Sequence, residues 1–224
     1  SYSDFAIVSR QAESYLGILD CALDTAGIPS FTSYRRDVQE LEAVKLIYTA
    51  YAVLRGFSRG DVISYAKCAL SGVSREECDE LEMYVNKWQI NGRRFTDDTP
   101  WSMNPDGYTQ DMSARGRAIL EAANHVRAVL MTPLLELETE LATAEDAAAG
   151  CRALFSYLSR LGVKDQLRLR GEQFLREGDP RAAGEEVRLW SFLCETLATV
   201  AAVLATAEPP SAAEYGEALA LVFA

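Results

Sequence analysis

Two arginines and three aromatic residues, Arg93, Arg94, Phe95, Trp101 and Tyr108, share the irregular stretch Asn91–Asp111, NGRRFTDDTPWSMNPDGYTQD. Basic and aromatic side chains interleaved in this way suit a single nucleic-acid strand, with guanidinium groups on phosphates and rings on base faces. The same stretch carries Asp97, Asp98, Asp106 and Asp111, which outnumber its arginines and weaken its pull on a polyanion. A second reading therefore stands beside the first: the aromatics fasten a long loop onto a helical body. A loop of this length inside a compact domain is unusual, and such loops are often functional or partner-facing.

Elsewhere the chemistry-bearing residue types do not converge. His125 is the sole histidine, so neither a His-pair metal site nor a Ser-His-Asp triad can be assembled. No G-x-x-x-x-G-K-[ST] loop and no G-x-S-x-G elbow occurs. A Mg²⁺-dependent nuclease of the restriction type needs an E-x-K element, and none of Lys45, Lys67, Lys87 and Lys164 has Glu two residues before it. Glu80 with Glu82, and Asp97 with Asp98, read as solvated acidic faces. The cysteines, Cys21, Cys68, Cys78, Cys151 and Cys194, are odd in number, form no C-x-x-C pair and sit mostly in apolar helical patterns. They read as reduced, packed thiols rather than a disulfide or metal framework.

The elements that would position these residues are mostly helices. From Gly56 onward the apolar spacing is helical throughout. One stripe runs Ile119, Ala123, Val126, Leu130, Leu134, Leu137 and Leu141. A second joins Cys151, Leu154, Phe155, Leu158 and Leu161, and a third joins Val187, Trp190, Leu193, Cys194, Leu197, Val200 and Leu204. Trp88 and Trp190 read as core. Ser58 with Asp61, Ser74 with Glu77 and Ser211 with Glu214 have cap spacing, and Gly72, Gly162 and Gly178 stand at expected helix ends. Pro133 falls inside the first stripe and should kink or break that helix. Before Gly56 the pattern differs. Phe5-Ala6-Ile7-Val8 reads as a strand buried on both faces. A helix follows, closed at Gly27; then comes a short edge strand Ile28-Pro29-Ser30-Phe31, then a helix from Asp37 to Leu54. The expected fold class is mainly α: a helical-bundle domain over 58–224, preceded by a partial β-α-β-α segment over 1–57.

The chain has 224 residues, 49% of them hydrophobic, which is ample for a packed core, and a formal charge of −11. The acidic balance speaks against a general duplex-binding or anionic-membrane surface. No apolar run reaches the roughly 18 residues of a membrane span, so the expected setting is cytoplasmic. Ser1 stands where a Met would, and the first apolar run starts a few residues later, so the chain reads as a piece of a larger protein. An unpaired apolar edge at Phe5–Val8 predicts self-association into a homodimer.

Several segments together resemble one known family. Asp4-Phe5-Ala6-Ile7-Val8-Ser9-Arg10, a helix, and then Gly27-Ile28-Pro29 are similar to the start of the second RecA-like domain of superfamily 1 helicases. Tyr65 through Ser74, then Cys78-Asp79-Glu80-Leu81-Glu82-Met83-Tyr84-Val85, then Trp88-Gln89-Ile90-Asn91-Gly92 look like the "K-T-G-L … L-E-N-Y-V … W-x-I-x-G" region of the B subunits of ATP-dependent helicase/deoxyribonucleases, the AddB family. Trp101, Pro105-Asp106-Gly107-Tyr108 and Glu185-Glu186 through Trp190 continue the likeness, which spans nearly the whole chain.

The resemblance implies that residues 1–57 begin the second RecA-like domain and that 58–224 form a helical domain inserted in it. It implies a parent protein that processes double-strand DNA breaks for recombination and repair, together with a partner helicase–nuclease chain, the A subunit. That parent would use ATP and Mg²⁺ and hold a 4Fe-4S cluster. Arg10 maps onto the arginine that reaches the γ-phosphate in such motors; the competing reading is a surface arginine at a strand end. The P-loop, nuclease motif and cluster cysteines of the family have no counterpart here, so the chain alone is expected to be catalytically inactive. It would serve as a scaffold and possible DNA-guiding element, or, alternatively, as an interaction module that docks the partner motor subunit.

Overall fold

A computed structural model describes residues 5–10, 15, 18–29, 41–108 and 111–203. The chain divides into two compact units, residues 1–37 and residues 38–224.

In the first unit the described residues hold one helix, α1 (Ile18–Thr25). It ends as its sequence predicts: Gly27 takes φ +65°, and the Ile28 amide reaches back to the Leu23 carbonyl at 2.9 Å. The predicted strands are not formed among the described residues. Residues 5–9 have no regular structure, and Phe5, Ile7 and Val8 are exposed. A buried strand needs neighbours on both edges to satisfy its amides and carbonyls, and the described residues supply none. Ile28 and Pro29 are likewise irregular, while Ser30 and Phe31 lie outside the described residues.

The second unit is wholly helical among its described residues: α2 (Glu42–Leu54), α3 (Arg59–Ala66), α4 (Arg75–Lys87), α5 (Ala114–Ala142), α6 (Ala147–Arg160), α7 (Val163–Glu177) and α8 (Pro180–Val203). The start of the helix expected from Asp37 lies outside the described residues. Its described part, α2, packs within this second unit. Ala43, Val44, Leu46, Ala50 and Val53 are fully buried in the same core as Val62, Tyr65, Leu130 and Tyr157. Burying one such aliphatic side chain is worth about 1.5–3 kcal/mol, which outweighs any preference set by chain order.

Local signals fix the helix ends. Ser74 accepts the Glu77 amide at 3.2 Å while Glu77 Oε2 accepts the Ser74 amide at 2.7 Å, a complete reciprocal cap on α4. Ser58, Ser113 and Asp146 cap α3, α5 and α6 one way only, each accepting the amide three residues on. α5 packs on both α4 and α6. Pro133 does not break it: the helix is continuous for 29 residues. Leu130, Leu134 and Leu137 flank the proline and are fully buried, so packing on both sides holds the helix across the missing amide. A hydroxyl pair crosses the core, Tyr157 donating to Tyr65 at 2.8 Å.

The third apolar stripe shifts by part of a turn. Leu189, Leu193, Leu197 and Val200 are buried, whereas Val187 is exposed. Val187 instead reaches Gly171 of α7, whose missing side chain brings the two helices close: a Cβ there would sit 3.3 Å from the Ala183 carbonyl. Phe155 is half-exposed and leans on Trp190 with ring centroids 5.8 Å apart. Leu204 and the Ser211–Glu214 cap signal lie outside the described residues.

Candidate nucleic-acid interface

The stretch after α4 is anchored from end to end. It opens with a 3₁₀ turn, Gly92–Phe95, entered through a constrained corner. Gln89 adopts φ +50° and Phe57 φ +54°, left-handed conformations that cost a non-glycine residue of order 1–3 kcal/mol. The two segments hold each other there: the Gly92 amide donates to the Phe57 carbonyl at 2.9 Å, and the Arg59 amide to Asn91 Oδ1 at 2.7 Å.

Trp101 is the centre of the anchor. Its backbone amide donates to Asn124 Oδ1 at 2.8 Å, and Asn124 Nδ2 returns a bond to the Trp101 carbonyl at 2.9 Å. Its indole Nε1 donates to the Arg94 carbonyl at 2.9 Å. The ring stacks on Tyr84 at 5.5 Å and meets Phe95 edge-on at 5.8 Å. Arg127 covers the ring with its guanidinium 5.0 Å from the indole centroid. That guanidinium also donates to the carbonyls of Phe95 (2.8 Å), Thr99 (3.0 Å) and Asp97. Burial lowers the Arg127 pKa, while Asp97 and Asp98 pull it back up. Arginine remains a cation throughout the range in which proteins fold.

Further along, the Tyr84 hydroxyl donates to the Met103 carbonyl at 3.0 Å and Lys87 Nζ to the Pro105 carbonyl at 2.5 Å. Asp106 accepts the Ser113 amide at 2.7 Å, which holds its carboxyl below its ordinary pKa. Gly116 leaves the space for it: a Cβ there would lie 2.5 Å from Asp106 Oδ2.

The five predicted contact residues are thus divided. Phe95 and Trp101, at 1% and 6% exposure, are core residues whose faces are already covered. Arg93, Arg94 and Tyr108 are at the surface, Arg93 above the Phe57 ring and Tyr108 edge-on to Trp88. A cleft of about 260 Å³ runs beside the anchor, lined in part by Asp97, Asp98, Asn124 and Arg127. Its one cation is spent on backbone carbonyls. Asn124 and Arg127 escaped the sequence reading, yet a signal was present: Arg127 falls between Ala123 and Leu130 on the buried stripe of α5. A charge in that register has to find partners inside.

No family model matches the chain. Curated relatives do. The chain is 27% identical over 196 residues to the B subunit of an ATP-dependent helicase/deoxyribonuclease of Acetivibrio thermocellus, a match covering 87% of the chain. The corresponding B subunit of Clostridium botulinum is 27% identical over 88% of the chain, and that of Pelotomaculum thermopropionicum 32% identical over 85%. This chain is a homologue of the helicase/deoxyribonuclease B subunits. It spans 17% of the length of each of these relatives.

The homology bears on the remaining expected residues. Arg10 lies in the first unit, exposed, in a turn after an irregular run rather than at the end of a strand. Among the described residues no three His, Cys, Asp or Glu side chains gather to hold a metal ion. Cys68, Cys78 and Cys151 are buried, Cys194 is half-buried and Cys21 is exposed, and desolvation raises the thiol pKa values of Cys68, Cys78, Cys151 and Cys194. No described helix is long and apolar enough to cross a membrane.

Proposed function

We propose that this chain is a helical, non-catalytic scaffold within a helicase/deoxyribonuclease subunit that processes broken DNA for recombination and repair, and that it presents the Arg93–Arg94 turn to that DNA. The observation that carries the reading is the division within the loop. Phe95 and Trp101 fix its backbone to α4 and α5, while Arg93, Arg94 and Tyr108 stay at the surface. A pre-organised support of this kind lets a cation meet phosphate without ordering a loop on binding. In this proposal ATP, Mg²⁺ and the iron–sulfur cluster serve the whole parent protein, as does a nucleotide contact by Arg10, and the protein partner is the helicase–nuclease A subunit.

The test is fluorescence anisotropy of the 224-residue chain with labelled single-stranded and duplex DNA across a salt series. Arg93→Ala with Arg94→Ala should reduce the slope of log K against log salt by about two. An unchanged slope refutes the role of the turn. The net charge of −11 supports a second reading, in which acidic helical faces dock the partner motor subunit. Tight binding to that partner with no DNA binding at low salt would establish it. Self-association through the exposed Phe5, Ile7 and Val8 belongs to the same proposal; a strict monomer in concentrated sedimentation runs excludes it.

A further inference from the structure

The surface around the Phe57–Gln89 corner carries more cationic groups than the loop alone. Arg55 caps the C-terminus of α2, Arg59 opens α3, and Arg93 lies over the ring of Phe57, a residue of the connection that joins those two helices, 5.6 Å from its centroid. Several other cations of this acidic chain have a close carboxylate partner. Arg160 is held by Glu136 at 2.9 Å and Glu140 at 2.7 Å, and Lys67 by Glu82 at 2.7 Å. The arginines of the corner lack such a close carboxylate. Among the described residues no carboxylate pairs with Arg55 or Arg59, and the carboxylate facing Arg93, Glu138, stands off at 3.8 Å. Asp61 is nearby but is tied to the Ser58 hydroxyl at 2.6 Å.

What holds Arg59 is an amide. Its guanidinium donates to Gln89 Oε1 at 3.0 Å, and Gln89 is itself fixed by donating to the Asn86 carbonyl at 2.7 Å. A neutral acceptor orients a guanidinium without cancelling its charge. The left-handed conformations of Phe57 and Gln89 place these parts, and such strain persists where surrounding structure over-determines it. Guanidinium groups held by a neutral amide or by a carboxylate at 3.8 Å match the phosphodiester backbone, whose oxygens accept forked hydrogen bonds.

We infer that Arg55, Arg59 and Arg93 form one phosphate-binding corner that grips a nucleic-acid backbone without reading its sequence, with Gln89 as the residue that positions Arg59. This inference rests on the proposed DNA-facing role and adds Arg55, Arg59 and Gln89, which lie outside the 91–111 stretch.

The experiment uses the same chain and a labelled mixed-sequence DNA, duplex and single-stranded, titrated from low to moderate salt. Arg55→Ala with Arg59→Ala is expected to lower the salt slope by about two, and Arg55→Lys with Arg59→Lys to keep it. Gln89→Glu, which supplies a carboxylate at the same distance while retaining Arg59, should lower the slope by about one. The charge-matched pair Arg176→Ala with Arg188→Ala, on α7 and α8, should leave it unchanged. Thermal unfolding confirms that each variant is folded. If Arg93→Ala with Arg94→Ala weakens binding and Arg55→Ala with Arg59→Ala does not, the corner is wrong and the loop reading stands. Equal loss in the Arg176/Arg188 control reduces the effect to general charge and overturns the corner. Absence of binding to either DNA at low salt overturns both readings and leaves the arginines as protein-partner contacts.

Discussion

Arg127→Ala is the substitution that most directly tests how the loop is held. Arg127 is 8% exposed, donates to three carbonyls of residues 95–99 and covers the Trp101 ring. Hydrogen bonds to a charged group contribute about 1.5–3 kcal/mol each, and a desolvated cation–π contact about 2 kcal/mol. The terms are not additive, and removing the guanidinium also relieves its own desolvation, so a net loss of roughly 3 kcal/mol is expected. For a domain of this size that corresponds to a fall in Tm of about 6–12 °C. The loss should be local first. Trp101 emission should shift to the red, and a protease should cut within 96–108 before the helices melt. Arg127→Lys, which keeps the charge but cannot fork onto three carbonyls, should recover less than half of the stability. A loss below about 1 kcal/mol with unchanged Trp101 emission would refute the clamp.

The Tyr65–Tyr157 pair gives an asymmetric prediction: Tyr157→Phe alone strands a buried hydroxyl and should cost about 1–3 kcal/mol, while the double Phe variant should be closer to the parent. A denaturant double-mutant cycle checks it. Ser74→Ala should cost about 1 kcal/mol through the lost α4 cap, read as a Tm fall of about 2–4 °C. Glu77 and Asp106 both have carboxyl pKa values lowered by amide donors, from Ser74 and Ser113 respectively. Their contribution is therefore complete above the ordinary carboxylate range and fades as pH falls through the depressed folded values. Glu77→Gln with Asp106→Asn should flatten the acid limb of the Tm–pH curve; an unchanged limb would refute the assignment.

The helical half of the fold was legible because its signals are local. The Ser74–Glu77 cap, the Gly27 terminus and the Val126–Leu130–Leu134–Leu137 stripe each depend on neighbours within a turn or two. The Phe5–Val8 strand is not formed among the described residues, because β structure depends on a partner and the described residues offer none. Pro133 was overrated as a breaker because the burial of Leu130 and Leu134 is invisible to a rule about one amide. In the candidate site, residue types single out the loop but cannot sort its buried residues from its surface ones. Whether Trp101 faces solvent or Tyr84 is decided by Asn124 and Arg127 on another helix, so the loop became readable only once α5 was in place.

The single rod of α5 also works as a ruler. Asn124 and Arg127 fix the loop on its first half, and Glu136 and Glu140 hold Arg160 of α6 on its second. One residue inserted between these two sets would rotate them by roughly 100° and separate them by about 1.5 Å, turning either the loop or α6 away from its seat. Length changes among relatives should therefore fall outside this interval, in a connection such as 143–145. The spacing between 124 and 140 is then the quantity the helix preserves, more than the identity of most residues along it.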